Sequence, residues 1–217
     1  NRSGARKASG SYFTKPFAVE HLLDHALEPA LTEHLARIQA HLDAGDEAAA
    51  ADSFFDFRCA DIAMGSGHFL VAAVDRIEAR LSAFLALTPI PAVTAELERL
   101  RESAHQALGE LADGVELETT ALLRRQVGRR CIYGVDRNGI SVELARLAIW
   151  IHTFVPGLPL SFLDHNLVVG DSLTGIGTID EALAALGGSE DEAPTLFHDE
   201  IVGFLDRAST SLRRLAT

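Results

Sequence analysis

Apolar positions repeat at helical spacing over most of the chain. The first repeat follows Thr14-Lys15-Pro16 and is interrupted at Pro29, and a second covers about residues 31–42. A helix is also expected over about residues 68–85, because its apolar residues fall on one face. Further helices are predicted from an N-cap at Thr94, over residues 117–127 and, after an N-cap at Asn138, along the apolar stripe Ile140, Leu144, Leu147 and Ile151.

Three apolar runs predict β-strands at residues 54–61, 130–136 and 167–169. A helical pattern separates each strand from the next, and this βαβαβ order predicts an α/β fold with a parallel sheet. Between the first of these helices and the second strand lies a mostly helical insertion, at about residues 86–128. It is far longer than the ordinary connection between such elements.

The composition is that of a folded protein, and it narrows the possible partners. Of 217 residues, 47% are hydrophobic and 23% charged, which excludes a disordered chain. With 19 lysines and arginines against 31 acids, the net charge is −12, so little intrinsic affinity for DNA is expected. Neither a membrane-length apolar run nor a secretory signal is present. The two cysteines form no disulfide framework, which favours a cytoplasmic location.

The segment from Asp61 to Leu70 carries the strongest chemical signal. A strand ends at an acid, and Gly65 and Gly67 let the backbone approach a ligand before a helix begins. A dinucleotide-binding turn would place a third glycine where Leu70 stands. Asp61 would repel a pyrophosphate but suits a ligand with an ammonium or sulfonium centre. The alternative is a turn that serves only the strand-to-helix geometry.

Two further acids follow the next two strands. Asp136 stands where such folds hold a ribose, and its carboxylate can accept hydrogen bonds from both hydroxyls. Alternatively, it is an acid stabilised by the dipole at a helix N-terminus. Asp171 either accepts a hydrogen bond from an adenine amino group or is an ordinary turn residue. Because ligands of open α/β sheets bind at the carboxyl ends of the strands, the three acids together favour a ligand site there.

Four motifs in order along residues 10–175 resemble those of a known enzyme family. They are Ser11-Tyr12-Phe13-Thr14-Lys15-Pro16, the segment from Asp61 to Leu70, Tyr133-Gly134-Val135-Asp136-Arg137-Asn138, and Phe162-Leu163-Asp164-His165-Asn166-Leu167 leading to Gly170-Asp171-Ser172-Leu173. In these motifs the chain is similar to the S-adenosylmethionine-dependent, adenine-specific DNA methyltransferases of large restriction–modification and phage-defence proteins, of the type IIG or BREX-like kind. The resemblance implies a truncated Rossmann-like class I methyltransferase fold, a three-layer sandwich with an N-terminal helical arm and a helical insertion.

The resemblance also implies which residues hold S-adenosylmethionine. Tyr12, Phe13 and Thr14 match a motif that binds the methionine tail, while Asp136 and Asp171 match the acids for the ribose and the adenine. The full implied set is Tyr12, Phe13, Thr14, Asp61, Ala63, Met64, Gly65, Ser66, Gly67, His68, Phe69, Asp136, Arg137, Asp171, Ser172 and Leu173. Departures from the family pattern are Ile62 for the usual proline, Met64 for a small residue, and Lys15 between Thr14 and Pro16.

The motif that would perform methyl transfer is missing. In the family an Asn/Asp/Ser-Pro-Pro-Tyr/Phe motif accepts hydrogen bonds from the target amino group and stacks against the flipped adenine. No two prolines of this chain are adjacent. The chain also begins without a methionine. We therefore expect a fragment of a longer methyltransferase, with no catalytic residue of its own, that binds the cofactor but methylates nothing. DNA would be a partner of the full-length protein.

This interpretation divides the chain into a helical arm with the tail-binding motif (1–50), a cofactor-binding core (51–175) and an acidic C-terminal segment (176–217).

Two other functions fit part of the pattern. One is a nicotinamide-dependent oxidoreductase, which Asp136 permits but Leu70 and Asp61 argue against. The other is a non-enzymatic interaction module that keeps the fold without a ligand.

The remaining chemically capable side chains are expected to be structural. His21 and His25 stand four residues apart on a helix but lack a third ligand, so no metal site is predicted. Cys59 and Cys131 are expected in the core, and Trp150 in the core or at an interface. A solvated helix face is expected for Arg124, Arg125, Arg129 and Arg130.

Overall fold

The computed structural model describes residues 15–109, 116–159 and 163–173, most of which are helical. The predicted tail-binding residues Tyr12, Phe13 and Thr14 and the predicted segment 176–217 lie outside these ranges. In chain order the elements are α1 (Pro16–Leu22), a π-helical turn (Leu23–Leu27), α2 (Glu28–Asp43), α3 (Glu47–Phe54), β1 (Cys59–Asp61), α4 (His68–Leu87), α5 (Pro91–Leu108), α6 (Thr119–Arg130), β2 (Ile132–Asp136), α7 (Gly139–His152) and β3 (Leu167–Val169).

The three strands form a parallel sheet in the order β1-β2-β3, so the predicted βαβαβ order is confirmed and the described fold is mixed α/β. Asp61 of β1 lies beside Gly134 of β2, and Asp136 of β2 lies beside Val169 of β3. Because the strands run in the same direction, their carboxyl ends meet at one edge of the sheet. Asp61 and Asp136, the last residues of β1 and β2, therefore lie at that common edge.

Helix α4 lies at the centre of the core because one of its faces is apolar along its length. Leu70, Val74, Ile77 and Leu81 are fully buried, at the three- and four-residue spacings that align them on one side of a helix. The helix packs against α6, α7 and the first two strands. Burying one such side chain contributes roughly 1.5–3 kcal/mol relative to leaving it exposed, so this face fixes the helix that begins at the glycine turn.

Ion pairs tie the N-terminal arm to α4. The guanidinium of Arg76 lies 2.8 Å from the carboxylate of Asp24 and 3.0 Å from that of Glu20. One turn further along α4, Arg80 Nε lies 2.9 Å from Glu28. Single exposed pairs contribute only about 0–1 kcal/mol. Here the acids recur every four residues along the arm, so together they fix its position along α4.

The boundaries around β1 differ from the sequence prediction. The strand predicted at residues 54–61 is restricted to Cys59–Asp61, and Phe54 instead ends α3, a helix for which no prediction was made. Asp46 caps that helix by accepting a hydrogen bond from the Ala49 N–H at 3.0 Å, and the alanines at 48–51 favour it. The interruption predicted at Pro29 is also displaced. Pro29 lies in the first turn of α2, where its missing N–H is not needed, and the irregular turn precedes it.

Two predictions for the helical insertion are wrong in detail. Helix α5 begins at Pro91, and the hydroxyl of Thr94 donates to the Ile90 carbonyl at 3.2 Å instead of capping a helix start. The predicted solvated arginine face of α6 is also partly wrong. Arg125 is buried, and its guanidinium donates to the Pro159 carbonyl. A guanidinium can enter the core at this position because that carbonyl satisfies one of its N–H groups.

Helix α7 turns its predicted apolar stripe outward. The helix starts as predicted, because Asn138 Oδ1 accepts a hydrogen bond from the Ile140 N–H at 3.0 Å. Its buried face consists of Val142, Ala145 and Ile149. The stripe identified in the sequence is instead 73%, 50%, 47% and 61% exposed at Ile140, Leu144, Leu147 and Ile151. The helix therefore has two apolar faces, and the core covers the other one.

The chain divides into two compact units, Asn1–Ser172 and Leu173–Thr217. No helix in the described ranges is long and apolar enough to cross a membrane. Among the same residues no group of three or more metal-binding side chains is found, and the exposed rings of His21 and His25 stack at 4.1 Å. Cys59 and Cys131 are buried free thiols, as predicted, and burial raises their pKa values to about 11 and about 12.

Candidate functional site

The chain between β1 and α4 makes a turn that requires glycine at two positions. Gly65 and Gly67 have φ angles of 55° and 80°, in the left-handed region that residues with a Cβ disfavour. A Cβ on Gly67 would also lie 3.0 Å from the Cβ of Ala145 on α7. At Gly65 the corresponding space is open among the described residues. The turn is therefore packed on its α7 side and open at Gly65, where a ligand can approach the backbone.

Asp136 joins the end of β2 to this turn. Its Oδ2 accepts a hydrogen bond from the Gly65 N–H at 2.9 Å, and its Oδ1 accepts one from the Asn138 N–H at 2.8 Å. The backbone adds a second link, because the Met64 N–H donates to the Val135 carbonyl at 3.1 Å. A carboxylate offers about four acceptor positions. Asp136 therefore retains enough acceptor capacity for the two neighbouring hydroxyls of a ribose.

Met64 lies beneath the turn, with its side chain in the core. A Cβ built on Gly134 would lie 2.3 Å from the Met64 Sδ and 3.0 Å from a methyl group of Leu70. The turn can pack onto β2 only because residue 134 is glycine. The methionine that departs from the family pattern is thus accommodated by a small residue on the neighbouring strand.

Asp61 ends β1 as a half-buried acid. Its Oδ1 accepts a hydrogen bond from the Ala63 N–H at 3.0 Å. Burial raises the pKa of Asp61, the Ala63 N–H opposes this shift, and the charge of Asp136 adds to it. A positive group at this edge would remove part of the cost of keeping the two carboxylates ionised. The electrostatics therefore favour a cationic ligand over an anionic one.

The other predicted binding residues in the described ranges differ in exposure. Arg137 Nε lies 3.4 Å from Asp171 Oδ2, and the two side chains are 81% and 31% exposed. So exposed an ion pair is worth only about 0–1 kcal/mol, and a ligand can replace it at little cost. Among the remaining predicted residues Phe69 is half-buried, and the exposed ones are Ala63, Ser66, His68, Ser172 and Leu173.

Two polar side chains without a predicted role hold β3 in place. The guanidinium of Arg146 donates to the Leu167 carbonyl at 2.7 Å and lies 3.0 Å from the Asp164 carboxylate. Asn166 donates from Nδ2 to the Ile132 carbonyl at 2.9 Å. Because β3 has only three residues, these bonds supply much of its attachment. The available signal for Arg146 was a single arginine within an otherwise apolar stretch of α7.

Comparison with known proteins finds a distant relative. The chain is 24% identical over 213 residues to a protein of Methanocaldococcus jannaschii named "Putative type II restriction enzyme and methyltransferase". The alignment covers 83% of this chain but 16% of the relative, so the chain spans about a sixth of that protein's length. No family model matches the chain, and no solved structure matches it. The chain is therefore distantly similar to a protein with a restriction–modification and methyltransferase name.

Proposed function

We propose that this chain is the cofactor-binding portion of an S-adenosylmethionine-dependent DNA adenine-N6 methyltransferase from a restriction–modification or phage-defence system. The observation that carries the proposal is the hydrogen bond of 2.9 Å between the Gly65 N–H and Asp136 Oδ2. It brings together the two elements that the family resemblance assigns to the methionine and ribose parts of the cofactor. The distant similarity to a protein named as a restriction enzyme and methyltransferase supports the same proposal.

In this proposal the acids at the sheet edge bind different parts of one ligand. Asp61 stabilises the ammonium group of the methionine part, which is the role that its raised pKa and the nearby Asp136 charge favour. Asp136 accepts hydrogen bonds from the ribose hydroxyls with the acceptor positions that it does not use on the backbone. Asp171, after β3, accepts one from the adenine amino group. The open side of the turn at Gly65 admits the ligand.

S-adenosylmethionine would supply a methyl group on a sulfonium centre, which the adenine amino nitrogen can displace without a covalent enzyme intermediate. The residues of this chain bind and orient the cofactor, and such positioning is a large part of catalysis of this kind. They do not include the family's Pro-Pro motif that holds the target base, because no two prolines are adjacent. We therefore propose that the chain alone binds the cofactor and transfers no methyl group.

The proposal includes the finer architecture expected from the resemblance. The three-stranded sheet would belong to a Rossmann-like methyltransferase core at residues 51–175, with a helical arm at 1–50 that brings the tail-binding motif to the site. The acidic segment 176–217 would follow this core. DNA would be bound by the longer protein in the cytoplasm, because this chain's net charge of −12 opposes tight contact with phosphates.

Isothermal titration calorimetry on the 217-residue chain tests the proposal. S-adenosylmethionine should bind with measurable heat, whereas NAD should not, because its pyrophosphate would lie beside Asp61 and Asp136. Binding of NAD but not of S-adenosylmethionine would reject the proposal in favour of an oxidoreductase. Binding of neither would favour an interaction module.

Two variants locate the binding site. Asp61→Asn keeps an oxygen for the Ala63 N–H but removes the charge, and it should weaken S-adenosylmethionine binding by about tenfold or more. The control is Asp46→Ala, which removes an acid that caps α3 and should leave the affinity unchanged. Equal affinities of wild type and Asp61→Asn would contradict the assignment of Asp61 to the ammonium group.

A further inference from the structure

The exposed stripe of α7 has an order that reads the same in both directions. Its residues are Ile140, Leu144, Leu147 and Ile151, separated by four, three and four positions. All four are at least 47% exposed, while the opposite face of the helix is buried. A set of large apolar side chains on the outside of a helix marks an interaction surface when it is contiguous.

The spacing of the stripe indicates what kind of surface covers it. The spacings of four, three and four positions average about 3.7 residues, close to the 3.6 residues of one helical turn, so the four side chains form one straight seam along the helix surface. Phe154, which follows the end of the helix and is 51% exposed, adds apolar area near its C-terminal end. Such a seam packs against another helix at a crossing angle of about 20°. The occupant of the stripe is therefore a helix with a matching seam.

We propose that α7 pairs with α7 of a second copy of this chain, antiparallel, about a two-fold axis between Leu144 and Leu147. A two-fold interface brings the same surface patch from each copy together, and the palindromic stripe meets this requirement. Ile140 would face Ile151 of the second copy, and Leu144 would face its Leu147. Every layer then joins two apolar side chains, isoleucine to isoleucine and leucine to leucine.

The charges beside the stripe are compatible with this pairing despite the net charge of −12. Glu143 is the acid next to the seam, and its carboxylate lies 2.8 Å from Arg146 Nη1, which also pairs with Asp164. Under the proposed axis Glu143 faces Ala148 of the second copy and not another acid. Pairing therefore brings no like charges together at the seam.

The size of the stripe sets the expected strength of the dimer. Ile151 follows Ile140 by eleven positions, which is about 16 Å along a helix. Val169 extends the apolar area at the N-terminal end, since it is exposed and its Cγ2 lies 3.8 Å from the position of a Cβ on Gly139. This surface is smaller than the roughly 800 Å² per partner of a stable complex. We expect a concentration-dependent dimer with a Kd on the order of 10 µM.

Sedimentation velocity at concentrations from roughly 1 to roughly 500 µM, which lie on both sides of this Kd, tests whether the dimer forms. The wild-type chain should pass from monomer to dimer, and the double variant L144E/L147E should stay monomeric. Both leucines are exposed, so the variant should fold, which circular dichroism checks. The control is Leu87→Glu, at an 87% exposed leucine at the end of α4, which should dimerise like the wild type. A wild-type chain that remains monomeric throughout would overturn the proposal.

Cysteine cross-linking tests the antiparallel register. Chains with Ile140→Cys mixed with chains carrying Ile151→Cys should form disulfide-linked dimers under mild oxidation. Either variant alone should not, because its two cysteines would be about 16 Å apart, beyond the roughly 7 Å limit for a disulfide. The native thiols are buried and do not compete. Cross-linking of Ile140→Cys with itself would indicate parallel helices and overturn the register. The test is independent of cofactor binding.

Discussion

Replacing Asp136 by alanine removes the side chain that links the glycine turn to the second strand. The carboxylate accepts hydrogen bonds from the Gly65 N–H at 2.9 Å and from the Asn138 N–H at 2.8 Å. The bond from Gly65 joins residues 71 positions apart in the sequence, and the bond from Asn138 lies at the start of α7. Alanine leaves both backbone donors without this acceptor. The chain should therefore lose stability as well as ligand affinity.

The size of that loss follows from the two bonds. A hydrogen bond to a charged group contributes about 1.5–3 kcal/mol to stability, and solvent contact lowers this value. Because both bonds are only partly buried, we expect a combined loss of about 2–4 kcal/mol. The matched control is Asp46→Ala, which removes one exposed bond to a backbone N–H and should cost about 1 kcal/mol.

Urea unfolding at pH 7, followed by circular dichroism, measures both variants on the same scale. The midpoint should fall further for Asp136→Ala than for Asp46→Ala, with unchanged slopes, because neither variant alters the surface that unfolding exposes. A loss of stability in Asp136→Ala no greater than that in Asp46→Ala would contradict this expectation. It would mean that the glycine turn holds its position without the Asp136 carboxylate.

Further variants and measurements test the packing at Gly134, the charge of Asp61 and the burial of the two thiols. Gly134→Ala should lower the free energy of unfolding by about 1–3 kcal/mol, because its Cβ would lie 2.3 Å from a buried sulfur. Gly139→Ala should change the free energy of unfolding by under about 0.5 kcal/mol, because no atom lies closer than 3.8 Å to its new Cβ. Equal losses for the two variants in urea unfolding would contradict the close contact between Met64 and Gly134. Asp61→Asn should raise stability at pH 7, because burial raises the pKa of Asp61 and ionisation therefore opposes folding. Thermal melts should show this gain shrinking as pH falls through the raised pKa, where the wild-type side chain is protonated; a gain that grew towards acid would contradict it. Cys59 and Cys131 should resist an aromatic disulfide reagent at pH 8 in the folded chain, because burial raises their pKa values to about 11 and about 12; rapid reaction before unfolding would show otherwise.

The sequence carries enough information for the sheet and the acids at its edge, because each strand and the turn after it are local patterns. The glycine turn and the cap at Asn138 depend on neighbouring residues, and both are found in the structure. The sequence prediction contains no helix at residues 47–53, and it assigns Phe54 to a strand because the phenylalanines at 54, 55 and 57 favour one. The cap at Asp46 and the alanines that follow it outweigh that pattern.

The orientation of α7 could not be predicted, because both of its faces are apolar. Close packing decides between them. A Cβ on Gly67 would lie 3.0 Å from the Cβ of Ala145, and one on Gly128 would lie 3.6 Å from a methyl group of Ile149. These contacts need small residues on facing elements that are distant in sequence. The larger side chains of the outer stripe could not approach the turn so closely.

At the candidate site, the types of residue were predictable but their bonding was not. Nothing local indicates that Asp136 uses two acceptor positions on backbone N–H groups, because one donor is Gly65 on another loop. The packing of Met64 against Gly134 likewise joins two distant positions. The sequence locates the acids, whereas the structure determines how much acceptor capacity they retain.

The roles proposed for Asp61 and Asp136 require that S-adenosylmethionine binds where the glycine turn meets the end of β2. A ¹H–¹⁵N spectrum of the 217-residue chain, titrated with S-adenosylmethionine, locates the bound cofactor. The amide resonances of Gly65, Gly67 and Asn138 should move most, because two of these N–H groups donate to Asp136 and the third lies in the same turn. Saturating cofactor that left these three resonances unmoved, or that shifted only residues elsewhere, would contradict binding at this turn.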